Sequence, residues 1–306
     1  MLDKAHNRLF VLGRHLPTSL HGSKTAAAGV GPFRNATNSK PSHEGPGVII
    51  TGASSGIGVT VAKEFLKRGY RVCVVARDEA KMKQAYATEL AGSNNLLTLP
   101  KDLATGKGCS ECISEALDFL GRLDVLVNNA GAGKLGSSIE NTSSEDWDWH
   151  IDINLKSVFL LTQASVPHLA ATKGCVINVS SIAAQRPFPN LLPYCVSKAA
   201  VDQLTRCCAL ELASKGIRVN AINPATVVTE FHEKAGMGKE AAAEFYQESA
   251  SAHPIGRVGT PLDIANMCLF LASTDNAGWI TGQTWLMDGG RLLTCQAGKA
   301  LSQAAN

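Results

Sequence analysis

Nowhere do the 306 residues contain the roughly 18 to 20 uninterrupted apolar residues that a membrane-spanning helix needs, so no helical membrane span is expected. Aromatic residues make up only 6% and charged residues only 18% of the chain. The net charge of +3 is confined to one end. Residues 1 to 46 hold Lys4, Arg8, Arg14, Lys24, Arg34 and Lys40 against Asp3 and Glu44. The remainder is slightly acidic and offers no broad basic surface for nucleic acid. A zinc shell is also lacking: Cys109 and Cys112 form a C-x-x-C, but no second pair or nearby histidine completes it. The nine cysteines are an odd number, and Cys73, Cys175 and Cys268 sit in apolar runs. That usage fits packing residues in a reducing, intracellular setting. Cys109 and Cys112 fall on an expected helix, and the adjacent Cys207 and Cys208 read as helix packing residues.

What is present is a 45% hydrophobic chain, the composition of a folded globular protein. Residues 1–46 are expected to be a flexible extension. Within it, Leu2, Leu9, Leu12 and Leu16 share one helical face, with Lys4, Arg8, Arg14 and His15 opposite. An amphipathic, acid-poor start followed by Ser/Thr-rich sequence fits an organellar transit peptide, and equally a tail on a cytosolic enzyme. Mitochondrial or other organellar matrix and cytoplasm both stay open.

From residue 47 onward, short β-type runs alternate with helical stretches. Val48–Ile50, Arg71–Val75, Val125–Val127, Val176–Val179, Arg218–Ile222 and Gln283–Met287 read as strands. The order predicts an α/β protein: a single Rossmann-like, doubly wound parallel sheet with helices on both faces. No compositional break divides residues 47–294, which are expected to form one domain, with 295–306 as a tail.

The first strand runs directly into Thr51-Gly52-Ala53-Ser54-Ser55-Gly56-Ile57-Gly58 and then a helix. Glycines there permit a sharp turn and close approach of a pyrophosphate to the helix N-terminus, although the spacing is not G-x-G-x-x-G. Tyr194 and Lys198 stand at i, i+4 and share one face of a helix. An ammonium near a phenol lowers its pKa and suits it to proton exchange. Ser181 follows a strand at its carboxyl end, where open α/β sheets bind ligands, and its hydroxyl is placed to orient a carbonyl oxygen.

Thr51–Gly58, Asn128-Asn129-Ala130-Gly131, Asn154, Ser180-Ser181 and Tyr194–Lys198, in this order and spacing, resemble the short-chain dehydrogenase/reductase family. The resemblance spans residues 47–294, and Thr281–Gly290 is similar to the end of its 3-oxoacyl-carrier-protein reductase-like members. It implies Tyr194 as general acid/base, Ser181 as the oxygen-orienting hydroxyl, and Lys198 as holder of the nicotinamide ribose. Asn154 would anchor the water of a proton relay. The cofactor would be held by Gly52, Ser54, Ser55, Gly56, Ile57 and Gly58, by Asp102 and Leu103 at the adenine, and by Asn128, Ala130 and Gly131. Pro224, Val227 and Thr229 would close over the nicotinamide, with Pro224-Ala225 in place of the usual Pro-Gly. A homotetramer is also implied, with helices in 146–162 and 196–213 at one interface and the C-terminal strand region at another.

Charge argues for the cofactor. Ala76 stands where an acid would bind the ribose 2′-OH of NAD(H), and Arg77 follows it, able to pair with a 2′-phosphate. NADP(H) is therefore expected and NAD(H) is the alternative; Arg77 pairing with Asp78 or Glu79 in solvent is the competing role. The pocket segments 132–138, 182–192 and 227–250 mix Leu135, Phe188, Phe231, Phe245 and Tyr246 with Lys134, Arg186, His232 and Lys234. The sequence thus reads as an NADPH-dependent carbonyl reductase with a small carbonyl or alcohol substrate. A 3-oxoacyl-thioester reductase, an NAD-linked alcohol dehydrogenase and a non-catalytic dinucleotide-binding regulator are the alternatives.

Overall fold

The computed structural model describes residues 45–294. The expected amphipathic helix at 2–16, nearly all of the N-terminal extension and the 295–306 tail lie outside them.

In chain order the elements are β1 (Gly47–Thr51), α1 (Gly56–Lys67), β2 (Arg71–Ala76), α2 (Glu79–Ala85), α3 (Ala87–Gly92), β3 (Leu96–Pro100) and α4 (Gly106–Leu120). Then come β4 (Val125–Asn128), α5 (Ser144–Ile151), a π-helical turn (Asp152–Lys156), α6 (Ser157–Thr172), β5 (Cys175–Val179) and α7 (Leu192–Leu212). The chain continues with β6 (Arg218–Pro224), α8 (Phe231–Lys234), α9 (Lys239–Ser251), α10 (Pro261–Ala272), α11 (Thr274–Ala277) and β7 (Thr284–Met287).

The strands form one seven-stranded parallel sheet in the order β3-β2-β1-β4-β5-β6-β7. Strand order reverses between β1 and β4, which opens a crevice at their carboxyl ends. Alternation along each strand divides the apolar side chains between two layers. Val48, Ile50, Val72, Val74 and Val127 meet Val61 and Phe65 of α1 and Ile264, Cys268 and Leu271 of α10. Ile49, Cys73, Val75, Leu126 and Val176 meet α4, α6 and α7 through Ile113, Leu120, Leu161, Leu169 and Ala209. Burial on both faces explains the continuous apolar runs of β1, β2, β4 and β5.

Strand β3 is absent from the sequence reading. It is an edge strand pairing from Val72↔Leu96 to Ala76↔Pro100, with only Leu96 and Leu99 buried, so its pattern is broken by Thr98 and ends in proline. The C-x-x-C lies on α4 as expected; burial pushes the Cys109 thiol up to about 11 and the Cys112 thiol up to about 12. Both stay protonated packing groups at neutral pH. Of the adjacent pair on α7, Cys208 packs against the second layer, but Cys207 is exposed, which corrects its reading as a packing residue.

Candidate active site

The glycine-rich turn joins β1 to α1 at the crevice. Gly52 has φ +65°, and a Cβ there would lie 2.7 Å from the Ala130 Cα; one on Gly58 would lie 2.6 Å from the Gly52 carbonyl oxygen. Only glycine fits these contacts. The turn is clasped by the segment after β4. Thr51 Oγ1 accepts from the Asn129 and Ala130 N–H groups, each at 3.0 Å, and Asn129 Nδ2 donates to the Thr51 carbonyl at 2.8 Å. Ser55 precedes α1 without capping it, and the first turn of that helix carries no acid. Together with partly exposed Ser54, Gly56 and Ile57, this leaves N–H groups and a helix dipole facing an open cradle, which fits a dinucleotide pyrophosphate.

At the end of β2, Arg77 is exposed and makes no ion pair among the described residues. Asp78 instead accepts from the Lys81 N–H as the cap of α2, and Glu79 pairs with Lys83 at 2.6 Å. The competing solvent pairings of Arg77 are thus taken by other groups. Asp102 is exposed, with Oδ1 accepting from the Ala104 N–H at 3.1 Å, whereas the Leu103 side chain is buried in the core. Any ligand contact from Leu103 would have to come from its backbone, and the same holds for Val227, whose side chain packs in the other layer.

Asn128 does not face the crevice. Its Nδ2 donates to Asn178 Oδ1 at 2.9 Å and Thr162 Oγ1 at 3.3 Å, and Asn178 Nδ2 donates to Thr205 Oγ1 at 2.9 Å. This buried chain of amides ties β4 and β5 to α6 and α7 directly behind the site. Asn154 is fully buried on the π-helical turn. Its amide pairs with Ala132 in both directions, accepting from the N–H at 2.8 Å and donating to the carbonyl at 2.9 Å, and also donates to Ser197 Oγ at 3.1 Å. A Cβ on Gly131 would meet Asn154 Oδ1 and Lys198 Nζ, each at 3.2 Å, so the missing side chain keeps these two groups clear.

Tyr194, Lys198, Ser181, Asn154 and Gly131 are gathered at the carboxyl ends of β4 and β5. Ser181 Oγ accepts from the Ala183 N–H at 3.0 Å. Lys198 is buried and donates to the Val179 carbonyl at 2.9 Å. Burial pulls its ammonium down to about 8, opposed by the negative charge of buried Asp202 one turn along α7. Burial also pushes the Tyr194 phenol up to about 12, with the Ser181 hydroxyl pulling the other way. Lys198 Nζ stands 5.8 Å from the centre of the Tyr194 ring and is turned to the Val179 carbonyl, so the loss of water on burial, and not the ammonium, sets the direction for the phenol.

The segment after β6 covers the site. Pro224 ends the strand, and Thr229 packs against Gly56, whose Cβ would lie 3.0 Å from the threonine Cβ. Phe231 stacks on Tyr194 at 5.5 Å between ring centres, and Ala235 accepts from the Leu135 N–H at 2.9 Å. Lys234 Nζ donates to Ser55 Oγ at 2.8 Å, and Glu230 pairs with Lys81 and Lys234. The His232 ring lies beside Phe245 and Tyr246, and burial with the Arg291 charge lowers it to about 4. A cavity of about 440 Å³ opens beside Gly133, Trp149, Lys234 and Ala235.

Several of these partners escape sequence reading. Nothing local links Lys234 to Ser55, or Arg291 to Thr226, to whose Oγ1 the guanidinium donates at 2.6 Å. Asn178 is different: a polar residue inside the apolar run of β5 was a visible signal, as was an acid four residues after Lys198.

A family model described as enoyl-(acyl carrier protein) reductase matches residues 52–291. The chain belongs to the short-chain dehydrogenase/reductase family. This dehydrogenase/reductase is 33% identical to the L-fucose dehydrogenase of Bos taurus over 86% of the chain and 94% of that protein. It superposes on the 3-ketoacyl-(acyl-carrier-protein) reductase of Brucella melitensis complexed with NADH with a TM-score of 0.74 and 32% identity, covering 82% of this chain and 99% of that one. ElxO with NADP bound gives 0.74 and 34% identity, covering 82% and 100%. The chain is an oxidoreductase of alcohol and carbonyl groups. Among the described residues, no helix is long and apolar enough to cross a membrane.

Proposed function

We propose that the enzyme is an NADPH-dependent carbonyl reductase, reversible as an alcohol dehydrogenase, in which Tyr194 is the general acid/base. The observation that carries the reading is the grouping of four side chains beside a glycine cradle: Tyr194 lies against Ser181 and 5.8 Å from Lys198 Nζ, and Gly131 is flanked by Lys198 and Asn154. A silent binding module has no need of that grouping. When bound, the nicotinamide supplies or accepts the hydride. Ser181 holds the substrate oxygen, and Tyr194, protonated throughout the neutral range, gives it a proton during reduction. Lys198 holds the nicotinamide ribose, and Asn154 fixes the Ala132 backbone beside it and anchors the water that returns the proton to the site. The pyrophosphate rests on Gly52, Ser54, Ser55, Gly56, Ile57 and Gly58. Asp102 and the Leu103 backbone serve the adenine, Ala130 and Gly131 leave room, Asn128 braces the sheet, and Pro224, Val227 and Thr229 close over the nicotinamide. The preference for NADP(H) over NAD(H) rests on Ala76 followed by an unpaired Arg77.

A homotetramer is the accompanying assembly. Phe159 on α6, Val196 and Leu210 on α7, and Leu286 at the β7 edge are exposed apolar residues on the two faces expected to meet partner chains. Absorbance at 340 nm with NADPH and a panel of diketones, aldehydes, steroids and 3-oxoacyl thioesters tests the function. Turnover is expected, and Tyr194→Phe should lower kcat by roughly 10²- to 10⁴-fold while NADPH still binds. Undiminished turnover in that variant refutes the acid role.

A further inference from the structure

Arg186 follows Ser181 on the segment that leads to α7, and Arg291 opens the short turn after β7. Far apart in sequence, they converge on one ring: their guanidinium carbons stand 5.9 and 5.8 Å from the centre of Phe188. Arg291 is half-buried and donates to Thr226 Oγ1 at 2.6 Å, which fixes it against the chain leaving β6 at the carboxyl edge of the sheet. Its charge reaches His232, whose ring touches Phe231, and Phe231 covers Tyr194. Thr226 begins the segment that covers the site and Arg186 lies five residues beyond Ser181, so both arginines stand on segments that flank the catalytic group.

Neither has a counter-ion. Among the described residues no carboxylate oxygen lies within 4.0 Å of either guanidinium. Asp288, three residues before Arg291, accepts from the Gly290 and Leu292 N–H groups instead. Burial first, and then the like charge of exposed Arg186, lower the Arg291 pKa. Two guanidinium groups turned to one ring, with no carboxylate to compensate them, make a place for an anion. A cavity of about 560 Å³ borders Arg186 and Phe188 and extends to Ala183, whose N–H holds Ser181 Oγ.

We propose that Arg186, Arg291 and Phe188 form a subsite for an anionic group on the substrate, so that the compound reduced at Tyr194 carries a carboxylate or similar compact oxyanion next to a flat apolar portion. This deepens the carbonyl-reductase reading and rests on it for the reaction, but the binding claim stands on the arginines alone.

The test uses aryl oxo acids of increasing chain length, 4-oxo-4-phenylbutanoate among them, each paired with its methyl ester. Binding to the NADPH-loaded enzyme is measured by calorimetry, and turnover at 340 nm. At least one acid should bind roughly tenfold or more tightly than its ester, and Arg186→Gln and Arg291→Lys should each erase most of that difference while leaving ester binding within about twofold. The lysine variant keeps a donor for Thr226, and an unchanged melting temperature shows that the fold is intact. Equal binding of acid and ester throughout, or an acid preference that survives in both variants, overturns the subsite. Acid-selective binding without turnover of any carbonyl keeps the subsite and refutes carbonyl reduction. Turnover of esters with no acid preference does the reverse.

Discussion

Lys198 Nζ donates to the Val179 carbonyl at 2.9 Å while standing 5.8 Å from the centre of the Tyr194 ring. The amine is thus held by the sheet rather than by the phenol, in surroundings that disfavour its charge. Its folded value of about 8 lies below the ordinary 10.5, so the charged amine costs stability at every pH below 8. The cost fades as pH rises from 8 towards 10.5.

Lys198→Met should therefore make the protein more stable at pH 7 even as it removes activity. Desolvation of the ammonium sets this direction, while the lost bond to Val179 and the lost attraction to buried Asp202 oppose it, leaving a gain of about 1 to 2 kcal/mol. In a domain of this size that is a rise of roughly 5 °C in Tm. The gain should shrink between pH 8 and pH 10.5. Thermal melts at pH 7 and pH 10 check it, and a variant that melts lower at pH 7 contradicts it.

Arg77, exposed and without an acidic partner among the described residues, is the basis of the proposed preference for NADP(H). Removing it as Arg77→Ala should weaken NADPH by roughly 10- to 100-fold, the worth of a charge-assisted contact, and NADH by less than about twofold. Titration of each dinucleotide by fluorescence decides the matter. Equal losses for both would remove the charge argument for NADP(H).

The strands and the grouping of the candidate site residues were readable because each depends on short-range pattern. Val48–Ile50 or Val125–Val127 must be apolar on both faces, and Tyr194 with Lys198 must share a helix face. β3 was not, since an edge strand needs only one buried face. The tie between Lys234 and Ser55 spans 179 residues and exists only once α8 has folded over the cradle. The surroundings of the Tyr194 phenol were not legible for a related reason. Proximity in sequence placed a cation near the phenol, but the direction of Nζ and the loss of water around both groups are tertiary facts.

Leu210 on α7 is 83% exposed, and Phe159 and Val196 are exposed on the same pair of helices, α6 and α7. If these helices meet a second copy, a charge placed there would be buried without a partner. The wild-type enzyme should sediment as four chains, and the double variant Phe159→Glu, Leu210→Glu as one or two, with the monomer fold unchanged by circular dichroism. A wild-type monomer, or a variant that still sediments as four chains, removes these helices as the interface.

Lys234 links the covering turn to the cradle, donating to Ser55 Oγ at 2.8 Å and pairing with Glu230, which in turn pairs with Lys81. All three charged side chains remain partly in solvent, so the ties add little to global stability. Their effect lies in holding one short element, Phe231–Lys234, over Tyr194 and the first turn of α1. Lys234→Met should leave Tm within about 2 °C while it speeds NADPH release by roughly three- to tenfold, because opening the turn then breaks fewer contacts. Stopped-flow displacement of bound NADPH, followed by its fluorescence, measures this directly. An unchanged release rate would mean that the turn is held by the Phe231 stacking and the Leu135–Ala235 bond, and that the lysine only decorates it.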